Sequence, residues 1–402
     1  MTLLDSVRIV SFNHFLMGPV GVQHLADLGA DVVAIEPIGG GQQRHWAAAD
    51  KWIGPDTPLF LAGGRNKRSL ALDLKSPAGA EIARRLIAEA DVVVENYRPG
   101  VMDKLGFGFE AVQAFNSRVV YASASGFGAD GPYRDRPGQD LLIQAMSGLA
   151  AITGRAGQTA RPVGVSAVDH HGAALLALGV LAALYRRSTT GKGCKVDVSL
   201  LNAAIDLQLE SFVTYLNGPR PENGIATEGS LGGWYFPAPY GIYRTADTDL
   251  AISLTSLKAL AAATGSTELA SIDDAKAWTA RTRVGALLDE VLARRPSAEW
   301  QAIFTKAGIW HAPVGDYESV LADPQVQHNG CFIDTHSASG EPITLVAHPV
   351  RYDGAAPAVR LVPQPLGAQS EEILVELGYS AAERARLFED GVCKGVASPA
   401  PR

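Results

Sequence analysis

Three features of the chain predict an α/β fold built on a parallel sheet. Short β-branched runs recur at residues 7–12, 31–36, 91–95 and 117–123, segments with helical spacing or Ala-rich composition separate them, and the connections carry Gly and Pro. Strand, helix and strand in succession pair in parallel, because the crossover returns the chain to the same edge of the sheet. At 402 residues, 47% hydrophobic and 19% charged, the chain exceeds what one ordinary core holds, so two domains are expected.

Residues 7–12 (Val-Arg-Ile-Val-Ser-Phe) read as the first strand, the loop 13–19 contains Gly18-Pro19, and 20–28 has helical spacing before Gly29. The second strand, 31–36, ends on Glu36. A terminal acid there suits a dinucleotide fold, where it bonds a ribose hydroxyl. The first loop lacks G-x-G-x-x-G, however, and Gly39-Gly40-Gly41 follows the wrong strand, which leaves NAD binding as a weak alternative.

Residues 65–75 read as a strand with basic residues before and after it, and Ser76-Pro77 opens a helix to about residue 89. The apolar run 91–95 is a central strand, and Asn96-Tyr97-Arg98-Pro99-Gly100 is the loop at its C-terminal end, the edge where open α/β sheets bind ligands. Arg65, Lys67, Lys75, Arg98 and Lys104 supply cations for phosphates and Tyr97 a flat apolar face, with ordinary solvated charge as the competing account. After the strand 117–123, a glycine-rich loop from Gly126 to Gln139 has few apolar anchors, as active-site loops do. Asp140 then leads a helix to about 149, where capping is the simpler account of the acid.

The stretch 161–172 reads as a strand, from Val163, Val165 and Val168, turning into an Ala/Leu helix that runs to about 187. Asp169 falls in its first turn or at the cap. Capping alone explains an acid there, yet such a carboxylate also faces backbone N–H groups that keep it ionised and stabilise an oxyanion. Gly172, Ala173, Ala174, Ala177, Gly179, Ala182 and Ala183 predict close approach of another backbone.

A strand at 194–200 and a helix at 202–216 follow. Residues 218–237 read as a linker or mobile loop, 238–325 as a smaller α/β domain, and 326–402 as a loop-rich return ending in amphipathic helices at 370–377 and 381–388, with a disordered tail at 397–402. The net charge of −7 and pI near 5.7 argue against nucleic-acid and anionic-membrane partners. Cys194, Cys331 and Cys393 lack C-x-x-C spacing, which speaks against a disulfide framework or structural zinc and fits a reducing cytoplasm. Neither export nor membrane insertion is expected.

The series Leu25-Ala26-Asp27-Leu28-Gly29-Ala30-Asp31, Asn66-Lys67-Arg68-Ser69, Asp91-Val92-Val93-Val94-Glu95-Asn96-Tyr97-Arg98-Pro99-Gly100, Ser125-Gly126-Phe127-Gly128 and Thr190-Gly191-Lys192-Gly193 resembles the family III CoA-transferases, the CaiB/BaiF-type group of formyl-CoA transferase and carnitine CoA-transferase. The resemblance spans nearly the whole chain and is thinnest between 218 and 310. It implies a large Rossmann-like domain made from both chain ends (1–217 and 326–402), a smaller domain between, and an interlocked homodimer. By the same resemblance Asp169 is the nucleophile that attacks an acyl-CoA thioester, Asp140 an acid near it, and Leu72, Lys75, Asn96, Tyr97, Arg98 and Lys104 the lining of the CoA site. His14, Leu16 and Gln139 fall in the substrate pocket. CoA and acyl-CoA enter as substrates beside a small carboxylic acid, and no metal or tightly bound cofactor is implied.

Two positions depart from the pattern. Several transferases carry Gln where Leu16 stands, and with Phe15 and Met17 this points to an acyl group less polar than oxalate. Gln139 replaces an aromatic residue of the transferases and a His that related α-methylacyl-CoA racemases pair with the Asp. A neutral amide does not exchange protons near neutral pH, so Gln139 weighs against racemisation, while His170 and His171 beside Asp169 keep that reading open. A CoA- or nucleotide-binding protein without turnover is the alternative from another class.

Overall fold

Strands buried on both faces need near-continuous apolar runs. In the computed structural model, which describes residues 2–221 and 224–396, such runs form the sheet centre: Ile9, Val10, Val33, Ile35, Leu70 and Val92 to Val94 are each at most 5% exposed. Strands β1 (Arg8–Phe12), β2 (Asp31–Glu36), β3 (Arg68–Leu72), β4 (Val92–Glu95), β5 (Val120–Ser125) and β6 (Cys194–Ser199) pair in parallel.

The crossovers are helical. After β1 comes α1 (Met17–Asp27); between β2 and β3 lies α2 (Pro58–Gly63); α3 (Pro77–Ala88) follows β3, with Ser76 accepting the Gly79 N–H as cap and Pro77 at the first helical position, as the sequence suggests. Past β4 come α4 (Val101–Lys104) and α5 (Phe109–Phe115), and past β5 come α6 (Asp140–Met146), α7 (Leu149–Thr153) and the 24-residue α8 (Ala167–Thr190). No strand precedes α8: residues 161–166 are irregular, with Pro162 and a left-handed Gly164 (φ +92°) breaking the extended run. The helix expected at 202–216 is two, Leu200–Asp206 and Leu209–Asn217.

Contacts divide the chain into two units, one of residues 1–143, 166–207 and 328–402, the other of 144–165 and 208–327. In the second unit β7 (Gly241–Arg244), β8 (Asp249–Ile252) and β9 (His311–Pro313) form an antiparallel sheet over a core that includes Tyr243, Leu250, Leu288, Trp300 and Phe304. The stretch 218–237 is more than a connector there, because Leu231 and Trp234 are buried and the Trp234 indole N–H donates to Ser211 Oγ at 3.0 Å. The expected tail at 397–402 lies outside the described residues.

In the first unit β10 (Phe332–His336) and β11 (Pro342–Val346) make a hairpin, and β12 (Cys393–Lys394) joins the large sheet antiparallel to β3, giving the order β12-β3-β2-β1-β4-β5-β6. A buried polar clasp ties the return to the N-terminal half: Asp27 takes the Arg65 guanidinium at 2.7 Å, the Asn66 amide at 2.8 Å and His348 Nδ1 at 3.3 Å. Burial alone would raise the pKa of Asp27, but the hydrogen bonds from His348, Arg65 and Asn66 and the Arg65 charge outweigh it and hold the carboxyl below its ordinary range.

Candidate active site

The strand order reverses between β1 and β4, and the crevice at the C-terminal ends of those neighbours is where open α/β sheets place their ligands. The loops leaving the two strands are locked together at that point. Asn96, just past β4, accepts the His14 N–H on Oδ1 at 2.8 Å and donates from Nδ2 to the His14 carbonyl at 2.8 Å, while His14 Nε2 lies 3.1 Å from the Asn96 carbonyl. Tyr97 meets the His14 ring edge-on at 5.2 Å. Burial lowers the His14 pKa against the raising effect of the Asn96 carbonyl, so His14 is neutral at neutral pH. Phe15 follows with a left-handed backbone (φ +57°), rare for a bulky residue, and its ring stands edge-on to Trp46.

Small residues let α1 lie against α8. A Cβ on Gly172 would meet Met17 Cε at 2.9 Å, and one on Gly21 would meet Leu176 Cδ2 at 2.8 Å and the Ala173 carbonyl at 3.1 Å. The pairs 17 with 172 and 21 with 176 advance together, so the helices run in the same direction. This is the backbone approach that the Gly/Ala content of α8 predicts. By length and composition α8 would also cross a membrane, yet Val168, Gly172, Ala173, Leu176, Ala177, Val180 and Ala183 are buried in the protein.

Asp169 occupies the third position of α8, with Ser166 as the N-cap residue. The cap itself comes from elsewhere. Asp140 Oδ1 accepts the N–H of Val168 at 2.8 Å and of Asp169 at 3.0 Å, so two of the amides in the first turn of α8 serve Asp140 rather than Asp169. Burial first, and the Asp140 charge second, push the Asp169 carboxyl up to about 7. The expectation that helix amides keep Asp169 ionised is therefore corrected. Asp140 is placed by the base of the glycine-rich loop, where Gly126 and Gly138 cross so closely that a Cβ on Gly126 would lie 2.7 Å from the Gly138 Cα.

The other expected site residues are spread along this edge. Arg98, Lys104, Lys75 and Gln139 are exposed, whereas Leu72 is 1% exposed and its side chain packs in the core, closed to any ligand. Leu16 also turns inward, against Val20, Ala173 and Leu59. Two of the cations considered for phosphate are structural: Arg65 is consumed by Asp27, and buried Lys67 donates to the Pro19 and Gly63 carbonyls at 2.6 Å each, its pKa lowered by burial to about 7. Glu36 cannot serve a ribose, since its carboxylate is bound by Arg44 at 2.7 Å and by Ser69 and the Gly41 N–H. His171 lies 2.7 Å from Asp206, and His170 is exposed. Glu95 is no candidate by sequence, where its only signal is an acid closing the apolar run of β4.

A mostly parallel seven-stranded sheet whose strand order reverses at β1 and β4 places the chain among the doubly wound α/β proteins, which bind ligands at that point. The profile of CoA-transferase family III matches residues 4–370, and the chain belongs to that family of enzymes. It is 32% identical to a succinyl-CoA:glutarate CoA-transferase of Mus musculus, over 98% of this chain and 90% of the relative. It is also 32% identical to an alpha-methylacyl-CoA racemase of Homo sapiens, over 97% of each. A CAIB/BAIF family protein from Brucella suis has a similar structure, with a TM-score of 0.80 at 30% identity, covering 94% of this chain and 99% of that one.

Proposed function

We propose that the protein moves CoA from an acyl-CoA thioester to a carboxylic acid acceptor, with Asp169 as the nucleophile. The observation that carries the reading is the state of Asp169: a half-buried carboxyl on the first turn of α8, with two of that turn's amides taken by Asp140. A carboxylate released from hydrogen bonds is the stronger nucleophile.

The ionised Asp169 oxygen bonds to the thioester carbonyl carbon and the C–S bond breaks, giving a mixed aspartyl anhydride and CoA thiolate. The thiolate then attacks the aspartyl carbonyl, which frees the donor acid and leaves an aspartyl-CoA thioester. An acceptor carboxylate attacks that thioester to form a second anhydride, and the returning thiolate attacks the acceptor's acyl carbon, restoring Asp169. No step needs a net proton, so a neutral His14 and the amide of Gln139 are compatible with all of them. Asn96, Tyr97, Arg98 and Lys104, with Lys75 and the backbone at Leu72, lie along the edge that would take CoA.

The racemase relative makes 2-methylacyl-CoA racemisation the second reading. It requires an acid/base partner for Asp169, and Gln139 supplies none. Incubation with acyl-CoA and a panel of acids separates the readings: acid-dependent CoA exchange supports transfer, deuterium uptake at the α-carbon without acceptor supports racemisation, and saturable CoA binding with neither leaves a binding protein. Wild-type exchange rates in Asp169→Ala would sink the nucleophile assignment. The reading extends to a homodimer, supported by apolar side chains left exposed on the first unit, among them Leu141, Leu178, Tyr185 and Ile205, which a second copy would cover.

A further inference from the structure

Glu95 closes β4 at the switch point and is 8% exposed. The strand register sets it beside Ser123 of β5, and Ser123 beside Asp197 of β6. With Tyr97, Ser125 and Lys195 these residues line a polar cavity of ≈ 140 Å³ behind the loop that follows β4. Glu95 Oε2 accepts the Tyr97 N–H at 3.0 Å and so closes a tight turn around Asn96. Asn96 and Tyr97 are the two residues that grip His14, one by paired hydrogen bonds and the other by its ring. One buried carboxyl thus braces the turn that carries both gripping residues.

We propose that Glu95 is a positioning residue of the CoA site, fixing the 95–100 turn through the Tyr97 N–H and, through that turn, the loop that carries His14. The proposal takes the identity of the ligand from the CoA-transferase reading but does not depend on the role of Asp169. Burial pushes the Glu95 carboxyl up to about 7, against the hydrogen bonds of Ser123 and Tyr97 and the charge of Lys195. The other charged or titratable groups that line the cavity around it are Asp197 of β6, Tyr121 of β5, Asp103 of α4, Glu110 of α5, and Arg98 and Arg134 of the adjoining loops. Because a carboxylate accepts from an N–H more strongly than a carboxylic acid does, the turn tightens as pH rises through neutrality.

The test is calorimetric titration of CoA itself into the full-length wild type, Glu95→Gln and Glu95→Ala at about pH 6 and pH 8, beside kinetics with acetyl-CoA as donor. Glu95→Ala is expected to weaken CoA binding about tenfold and to raise KM rather than lower kcat, while Glu95→Gln, which keeps an oxygen for the Tyr97 N–H, stays within about threefold. Wild type gains affinity between the two pH values relative to Glu95→Gln, the titration of CoA's own phosphate being common to both. Equal affinities for wild type and Glu95→Ala overturn the proposal; if Glu95→Ala does not fold, Glu95→Asp, whose shorter side chain draws the oxygen back from the Tyr97 N–H, takes its place, and wild-type affinity in that variant overturns it instead. Wild type that binds and transfers CoA while the variants match it removes only the role of Glu95, whereas wild type that fails to bind CoA removes the underlying reading as well.

Discussion

Asp140 Oδ1 accepts the backbone N–H of Asp169 at 3.0 Å, so the acid that caps α8 and the acid proposed to attack the substrate are joined through one amide. Two consequences of that link can be separated by mutation. Asp140→Asn keeps an oxygen for the two amides but removes the charge that raises the Asp169 pKa, so it should shift the pH midpoint of kcat/KM downward with little loss of stability. Asp140→Ala removes the acceptor too, and should cost about 1–2 kcal/mol in urea unfolding as a lost cap does. An unmoved pH midpoint in Asp140→Asn would show that the two carboxyls are not coupled.

The pH–rate profile follows from the ionised form being the nucleophile. With Asp169 pushed up to about 7, kcat/KM rises with pH through that value to a plateau. Stability runs the other way. A carboxyl whose native pKa is raised favours the folded state fully below its unfolded value near 3.8, and that contribution is lost as pH rises through about 7. Asp169→Asn should therefore be inactive yet melt higher than wild type above pH 7, with the gain vanishing near pH 4. Calorimetric scans at the two pH values read the difference directly.

Much of the large sheet was legible because its strands are short Val- and Ile-rich runs separated by capped helices, and a buried parallel strand has no other way to look in sequence. What sequence could not show depends on partners far along the chain. Arg65 and Lys67 resembled phosphate ligands until folding set Arg65 against Asp27, 38 residues away, and Lys67 against the Pro19 and Gly63 carbonyls. Asp140 was read as a cap of its own helix, whereas it caps a helix that begins 27 residues later. Residues 161–166 carried the composition of a strand without a neighbouring strand to pair with. At the site, Asp169 stood out through family resemblance, but its freedom from its own helix amides is a property of geometry alone.

The clasp around Asp27 predicts how the return segment is held. Arg65 and Asp27 are each only a few per cent exposed, so removing one partner strands a buried charge. Arg65→Met should destabilise by about 3–5 kcal/mol, far beyond a surface ion pair. Because the native Asp27 pKa is depressed, its contribution is present above the unfolded value and is lost as pH falls through the native one. Denaturant midpoints measured from neutrality down to about pH 3 should fall for wild type and flatten for Asp27→Asn. A full-strength acid transition in Asp27→Asn would place the acid-labile group elsewhere.

The contact between α1 and α8 yields a sharper test, because two glycines in the same seam differ in what they face. At Gly172 an added methyl would press on Met17 Cε, the free end of an unbranched side chain that can rotate away. At Gly21 it would press on Leu176 and on the Ala173 carbonyl, and a backbone oxygen in mid-helix cannot yield without moving α8. Gly21→Ala should therefore cost about 1–3 kcal/mol of stability, and the displacement of α1 against α8, the helix that carries Asp169, should lower kcat as well. Gly172→Ala should cost less than about 1 kcal/mol, since alanine's better helix propensity offsets part of the strain. Paired melts and single-turnover rates distinguish the cases. Equal penalties at the two positions would mean that α1 yields as readily as a methionine side chain, and that this seam does not fix the spacing of the two helices.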